Sequence, residues 1–261
     1  MRILLLPPSF KGTPELELTG KEYNYIVKAL RLKENAHLTG RDVSGKIWNL
    51  TLVSISKNSC RLTAEPDNFA KATTDAMPEN RPKKNIILYQ CLPKGRKADE
   101  IVKRATEIGV RDIVLVNSKN CVATLEGKEN NRLERYEALI KEAIQQSGSL
   151  VPTRISGPIN LNNVKDNFDM LCAEYGERGL GIILHQCTLK ENQKELVPLV
   201  NNFDGTVGIL IGSEGGFTQE ECNTMLQAGF NAVLLKSNIL RCETAAIYAV
   251  SAVQTILETS C

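Results

Sequence analysis

The chain has 261 residues, of which 42% are hydrophobic, 5% aromatic and 24% charged, and its formal net charge is +2. That is enough chain for one large or two modest domains, and ordinary apolar content excludes a disordered or collagenous protein. No apolar run approaches the roughly 18 residues that a membrane helix needs, so no membrane partner is expected.

Residues 1–6 form an apolar opening that ends at Pro7-Pro8. Its uninterrupted apolar core is too short for a secretory signal, whose core runs about 7 to 15 residues, and it reads as a first strand. Thr19 and Glu22 have the spacing of a capping box ahead of the helical stretch Tyr25 to Arg31, and short alternating strands follow at 37–39, 46–50 and 60–62. Residues 1–70 are therefore assigned to a small, mostly β domain. Residues 71–83, in a polar stretch with Pro78 and Pro82, read as a linker.

From residue 84 to 261 strands and helices alternate. Strand 86–92 leads to helix 97–108 with Gly109 as its stop, then strand 113–116 and helix 129–147 ended by Gly148. Such alternation predicts an α/β domain, a mainly parallel sheet with helices on both faces. Further strands are expected at 181–184, 207–211 and 232–235, and the spacing of Ala246, Val250, Val253, Ile256 and Leu257 predicts a C-terminal helix with one face in the core.

Two of these strand-to-helix turns carry unusual chemistry. Strand 207–211 breaks at Gly212-Ser213-Glu214-Gly215-Gly216-Phe217, and Thr218 with Glu221 then forms a capping box. The three glycines are expected to permit positive φ and to leave no side chain between backbone and a ligand. Strand 232–235 breaks at Lys236-Ser237-Asn238, and Ile239-Leu240 precede Arg241, Cys242, Glu243 and Thr244. A ligand sits at such turns in an open parallel sheet. The glycines follow G-x-x-G-G and not G-x-G-x-x-G, and no Lys-Ser/Thr pair follows, which argues against a dinucleotide oxidoreductase or a phosphate loop. On local grounds alone Glu214 is equally a solvated loop residue, and Arg241 with Glu243 a surface ion pair.

Residues 1–70 hold ten Lys/Arg against seven Asp/Glu, and residues 81–104 hold eight against two. That excess neutralises several phosphates if nucleic acid is the partner, and is otherwise a solvated face. The eight cysteines, at 60, 91, 121, 172, 187, 222, 242 and 261, show no C-x-x-C spacing and no metal-site clustering. They read as free thiols of a reducing, cytoplasmic compartment, with no metal expected and Cys242 structural.

The pattern Ile-Gly-x-Glu-Gly-Gly-Phe followed by Ile-Leu-Arg-x-Glu-Thr-Ala resembles the small-subunit (16S) ribosomal RNA uridine-N3 methyltransferases, within the trefoil-knotted SPOUT group. The likeness runs upstream through Leu92-Pro93-Lys94-Gly95, the segment Ile101 to Val110, Glu142 to Ser147 and Val151-Pro152. The chain departs from the family pattern at Ser213, Lys236 and Asn238, where Pro, Gly and Arg are common.

The resemblance implies a PUA-like β-barrel RNA-binding domain followed by a knotted methyltransferase domain. It implies S-adenosyl-L-methionine as cofactor, held by Leu184, His185, Ile211, Gly212, Gly215, Gly216, Leu235, Ile239, Leu240 and Thr244. Arg241 is expected to stabilise charge on the uracil oxygens, with Glu214 or Glu243 positioning or deprotonating N3. Lys28, Arg31, Lys94, Arg96 and Lys97 are expected to bind RNA. The implied substrate is 16S rRNA in the assembled 30S subunit, and the implied assembly a homodimer. The alternative is a protein of this fold that binds RNA in ribosome assembly but has lost methyl transfer.

Overall fold

Alternation of buried and exposed side chains builds the first sheet. On β4 (Ile47–Ile55) Trp48, Leu50 and Leu52 are buried while Asn49 and Val53 face out, and on β5 (Ser59–Pro66) Cys60, Leu62 and Ala64 are buried. With β1 (Ile3–Leu5), β2 (Glu15–Thr19) and β3 (His37–Arg41) they form a five-stranded sheet of order β1-β3-β4-β5-β2. Its neighbours are antiparallel except β1 and β3. Phe10 meets Trp48 edge to face at 4.9 Å between ring centroids. Asp42 closes the β3–β4 turn by accepting from Ser44 N (2.9 Å), Lys46 N (3.0 Å) and Trp48 Nε1 (2.9 Å).

The computed structural model describes residues 3–67, 84–122, 127, 129–185, 193–235 and 238–259. The chain divides into two compact units, Met1–Arg81 with Ile144–Leu150, and Pro82–Ala143 with Val151–Cys261. The expected linker, 71–83, lies outside the described residues, as does the break at Lys236-Ser237.

One local expectation in the first unit fails. Thr19 precedes α1 (Gly20–Tyr23) in extended conformation, yet its hydroxyl makes no capping bond. Thr19 is the last residue of β2, and the chain passes at once from α1 into a π-helical turn over Asn24–Ala29, closed by Leu30 N on Tyr25 O at 2.9 Å. The wider turn displaces the regular α-helix that the spacing predicted.

The second unit carries a seven-stranded sheet of order β10-β12-β9-β11-β6-β7-β8. Its strands are β6 (Ile86–Cys91), β7 (Asp112–Asn117), β8 (Arg154–Asn160), β9 (Gly179–Leu184), β10 (Gln193–Lys194), β11 (Thr206–Ile211) and β12 (Asn231–Val233). Every neighbouring pair is parallel. All residues of β6 and β11 are buried, the signature of strands covered on both faces.

The helices of this unit are α2 (Lys97–Ile108), α3 (Glu129–Ser147, whose last turn from Ile144 belongs to the first unit), α4 (Val164–Tyr175), α5 (Leu196–Val200), α6 (Gln219–Gln227) and α7 (Cys242–Thr259). Ile87, Tyr89 and Cys91 of β6 share one core with Phe168 and Leu171 of α4 and Cys222 and Met225 of α6. The alternate side chains Ile86, Leu88 and Gln90 point to the other face, and α7 packs on β6, β11 and α2. Helices α2 and α3 begin and end within a residue of expectation, and Gly109 is left-handed at φ 96° as the C-terminal stop of α2. Strand β8 and helix α4 escaped the sequence reading. Among the described residues no helix is long and apolar enough to cross a membrane, and no His, Cys, Asp and Glu cluster is able to hold a metal.

Candidate active site

The strands β9, β11 and β12 end side by side, and the described residues at and beyond their carboxyl ends line an open cavity of about 470 Å³. Leu184 and His185 come from β9, Ile211 to Phe217 from β11, and Leu234 and Leu235 from β12. Asn238 to Cys242 and Ala245 complete the wall. A parallel sheet points its strand ends and following loops toward one edge, so this is where the fold exposes backbone polar groups to a ligand.

The glycines of the β11 loop serve three different purposes, and only one is the expected backbone freedom. Gly216 has φ 62°, and a Cβ placed there meets open space. Gly212 has ordinary φ, but its Cβ would lie 3.1 Å from Gly216 Cα and 3.3 Å from the Phe217 ring. At Gly215 a Cβ would come within 2.8 Å of Asn120 Cβ. The expectation that all three permit positive φ is therefore corrected: two of them are small because the loop packs on itself and on a neighbour. The capping box predicted at Thr218 and Glu221 is formed in both directions.

Both candidate carboxylates are held ionised. Glu214 Oε1 accepts from Lys94 N at 3.1 Å and from Lys97 Nζ at 2.7 Å. Partial burial opposes its charge, but the Lys97 and backbone hydrogen bonds outweigh that, and its pKa is lowered. Glu243 behaves alike: burial is overcome by its backbone N–H, the Cys242 thiol and the charges of Lys97 and Arg241. Lys97 Nζ stands 3.8 Å from Glu243 Oε2, so one ammonium group spans both acids. The hydrogen bond to Glu214 is the main cause of the raised pKa of Lys97. Burial and the Glu243 hydrogen bond push the Cys242 thiol up to about 12, which leaves it protonated and no nucleophile.

Most sequence-predicted residues converge. Leu184, His185, Ile211, Gly212, Gly215, Gly216, Leu235, Ile239 and Leu240 all line the cavity, together with Glu214 and Arg241. Glu243 and Thr244, in the first turn of α7, are not among the lining residues; Glu243 is half-buried and Thr244 exposed. Helical geometry explains this, since adjacent residues of α7 point about 100° apart. Lys94 and Arg96 are exposed, whereas the Lys97 ammonium is engaged by Glu214. Lys28 and Arg31 are exposed in the first unit, Arg31 with φ 53°.

Two contributors were not anticipated. Gln90, fully buried on β6, donates from Nε2 to Cys91 O at 2.8 Å and toward Gly212 O at 3.4 Å, at the base of the glycine loop. Asn120, in the loop after β7, donates from Nδ2 to Gly215 O at 2.9 Å and Gly216 O at 3.3 Å. Gln90 had one trace in sequence, a lone polar residue in an apolar strand; Asn120 had none, because its role depends on sheet order.

Comparison with known proteins identifies the family and the fold. A family model described as an RNA methyltransferase domain matches residues 79–254, and one described as an RNA methyltransferase PUA domain matches residues 18–65. The chain is 28% identical over 242 residues to ribosomal RNA small subunit methyltransferase E 2 of Borreliella burgdorferi, covering 91% of this chain and 90% of that one. It is 26% identical over 259 residues to ribosomal RNA small subunit methyltransferase E of Bacillus subtilis, covering 96% and 94%. A crystal structure of the Neisseria gonorrhoeae ribosomal RNA small subunit methyltransferase E bound to S-adenosyl methionine superimposes with a TM-score of 0.77 at 26% identity, over 98% of each chain.

Proposed function

The chain belongs to the RNA methyltransferase family, and on that premise we propose that it transfers a methyl group from S-adenosylmethionine to N3 of a uridine in small-subunit (16S) ribosomal RNA. The observation that carries the reading is the cavity at the ends of β9, β11 and β12, whose wall alternates bare backbone with Leu184, Ile211, Leu235, Ile239 and Leu240. That donor set fits a nucleoside cofactor. The open space beside Gly216 would admit a ligand against the backbone, and the aliphatic side chains would give an adenine apolar walls.

When bound, S-adenosylmethionine supplies an electrophilic methyl carbon for in-line displacement. What the chain's own residues do is hold and orient. Arg241, exposed at the cavity wall, stabilises negative charge that grows on the uracil oxygens as N3 loses its proton. Glu214, ionised on the cavity wall, accepts the N3 hydrogen bond and passes the N3 proton on to solvent. Its lowered pKa makes it a carrier of that proton and not its final holder, while Glu243, off the lining, shares Lys97 with it. Exposed Lys94 and Arg96, with Lys28 and Arg31 of the first unit, meet RNA phosphates.

We take residues 1–70 as the RNA-binding domain and 84–261 as the methyltransferase domain, the substrate as the assembled 30S particle, and the active form as a homodimer. Ile239, an apolar side chain 83% exposed on the cavity wall, supports the last point. The alternative of a non-catalytic RNA-binding protein drew on Ser213, Lys236 and Asn238. Ser213 obstructs nothing, being 4% exposed with its hydroxyl bonded to Asn120 O.

The test is nucleoside mass spectrometry of small-subunit rRNA with and without the gene, paired with calorimetry. We expect 3-methyluridine to vanish with the gene and the purified protein to bind S-adenosylmethionine but not NAD or ATP. Unchanged 3-methyluridine, or folded protein that gives no heat with the methyl donor, refutes the reading.

A further inference from the structure

The sheet order sets β7 and β11 on either side of β6, so the loops leaving β7 and β11 meet across the end of β6. Ser213 Oγ donates to Asn120 O at 3.1 Å, and Asn120 Nδ2 returns two bonds, to Gly215 O and Gly216 O. Lys119 N donates to Glu221 Oε1 at 2.7 Å, and the Lys119 ammonium pairs with Glu220. Glu221 is the same residue whose other oxygen caps Thr218 N at 2.8 Å. The contact is also steric, because Gly215 packs so closely on Asn120 that any Cβ there would collide.

Four residues of the β11 loop are thus tied down within a short span. Gly216 N donates to Ser213 O at 3.0 Å, and the carbonyls of Gly215 and Gly216 are both held by one amide group. Because a peptide unit is planar, fixing a carbonyl also fixes the N–H that follows it. The orientation of the Gly215–Gly216 and Gly216–Phe217 peptides, both in the cavity wall, therefore depends on a side chain that does not itself line the cavity.

We propose that Asn120 is a positioning residue for the methyl-donor site, setting the peptide orientation of Gly215 and Gly216 before ligand arrives. The inference rests on the proposed function, and its chemistry is that of an amide chosen for two N–H donors. Asparagine supplies them at a fixed angle; aspartate, of the same shape, presents only acceptors to two carbonyls when ionised.

The experiment compares wild type with Asn120→Asp and Asn120→Ala in the full-length protein. Calorimetry with S-adenosylmethionine, RNA binding as a function of salt, and hydrogen exchange of the ligand-free protein are measured on each. We expect donor affinity to fall by about tenfold in Asn120→Ala and further in Asn120→Asp, as absent and then repelled hydrogen bonds require. RNA affinity and its salt slope should hold, and faster exchange should be confined to residues 213–217. Donor affinity within twofold of wild type and unchanged exchange in both variants would overturn the proposal. If wild type itself binds no S-adenosylmethionine, the proposed function fails, and the exchange arm alone decides whether Asn120 orders this loop.

Discussion

The amino and carboxyl edges of the one parallel sheet are built on opposite principles. At the amino edge Asp112, buried at the start of β7, accepts from Arg154 Nε at 2.7 Å and from the Tyr175 hydroxyl, while Arg154 Nη1 also reaches Glu174 at 2.7 Å. Beside it Glu177 collects Thr206 Oγ1 at 2.6 Å and Asn85 Nδ2 at 3.1 Å. These side chains join β7, β8, β11 and α4 to one another. At the carboxyl edge β11 ends in a glycine loop and the ends of β9 and β12 join it around a hollow, with Lys97, Glu214 and Glu243 clustered beside it. One edge commits its polar groups to cohesion; the other also ties its β11 loop down through Asn120 and Lys97, but leaves Arg241 exposed on the cavity wall.

The sharpest way to break that comparison is to fill the hollow. Gly216→Val forces a β-branched residue into left-handed backbone, and Gly212→Val drives a side chain into Gly216 and Phe217. Calorimetry should show donor binding weakened at least ~100-fold, beyond detection, with circular dichroism still that of a folded protein. Global unfolding of both variants would make the glycines part of the framework, and the contrast between edges would collapse.

Next in size is Arg241→Ala. Methyl transfer at saturating RNA should fall by roughly 100-fold, the scale of removing one charge-stabilising donor, while the salt dependence of RNA binding stays put. The complementary change, Lys94→Ala with Arg96→Ala, should leave turnover at saturation nearly intact and lower the salt slope by about one for each phosphate no longer neutralised. Equal reduction of the slope in both experiments would erase the division between chemistry and recognition.

The amino edge gives a smaller effect of another kind. Arg154→Ala leaves Asp112 buried without its cation, and denaturant unfolding should register a loss of about 1 to 3 kcal/mol, moderated because the Arg154 side chain is 45% exposed. Donor affinity should not change. A variant that loses donor affinity before stability would show the two edges to be coupled.

Acid provides the mildest probe. The folded pKa of Glu214 lies below its ordinary 4.5. Its contribution is therefore complete above 4.5 and disappears as pH falls through the lowered folded value. Exchange of the Lys94 amide and of the β11 loop should accelerate over that acidic window, and Glu214→Gln should remove the transition. An identical acid profile in Glu214→Gln would assign it to another group.

Sequence alone made the carboxyl edge more legible than the amino edge. Apolar runs followed by Gly212-Ser213-Glu214 and by Ile239-Leu240-Arg241 are continuous in the chain, so strand, loop and helix entry are read together, and nine of the ten expected donor-site residues line one cavity. Thr244 is the one of the ten not in the lining, because proximity in sequence is not proximity on a helix surface. Helices α2 and α3 were legible through long periodicity and glycine stops. Strand β8, with Gly157 and Pro158 inside it, and β2, where glutamates alternate with leucines at a sheet edge, carry weak signals that only their partners make good. The amino-edge network and the Asn120 hydrogen bonds bring together residues from 20 to 96 positions apart, and no local pattern encodes them.

The wholly parallel order of the second sheet has a consequence for how the molecule is made. Ile86 of β6 takes its place beside Val207 of β11, so this interior strand waits for more than a hundred further residues before its second neighbour exists. During synthesis β6, an unbroken run of Ile86-Ile87-Leu88-Tyr89-Gln90-Cys91, has β7 on one side and an open edge on the other. Pairings this distant form late and slowly, and an uncovered apolar strand is a template for unwanted association. A nascent chain halted before residue 206 would thus expose the stickiest strand of the domain, and chaperone capture of such stalled chains should fall abruptly once β11 has cleared the exit tunnel.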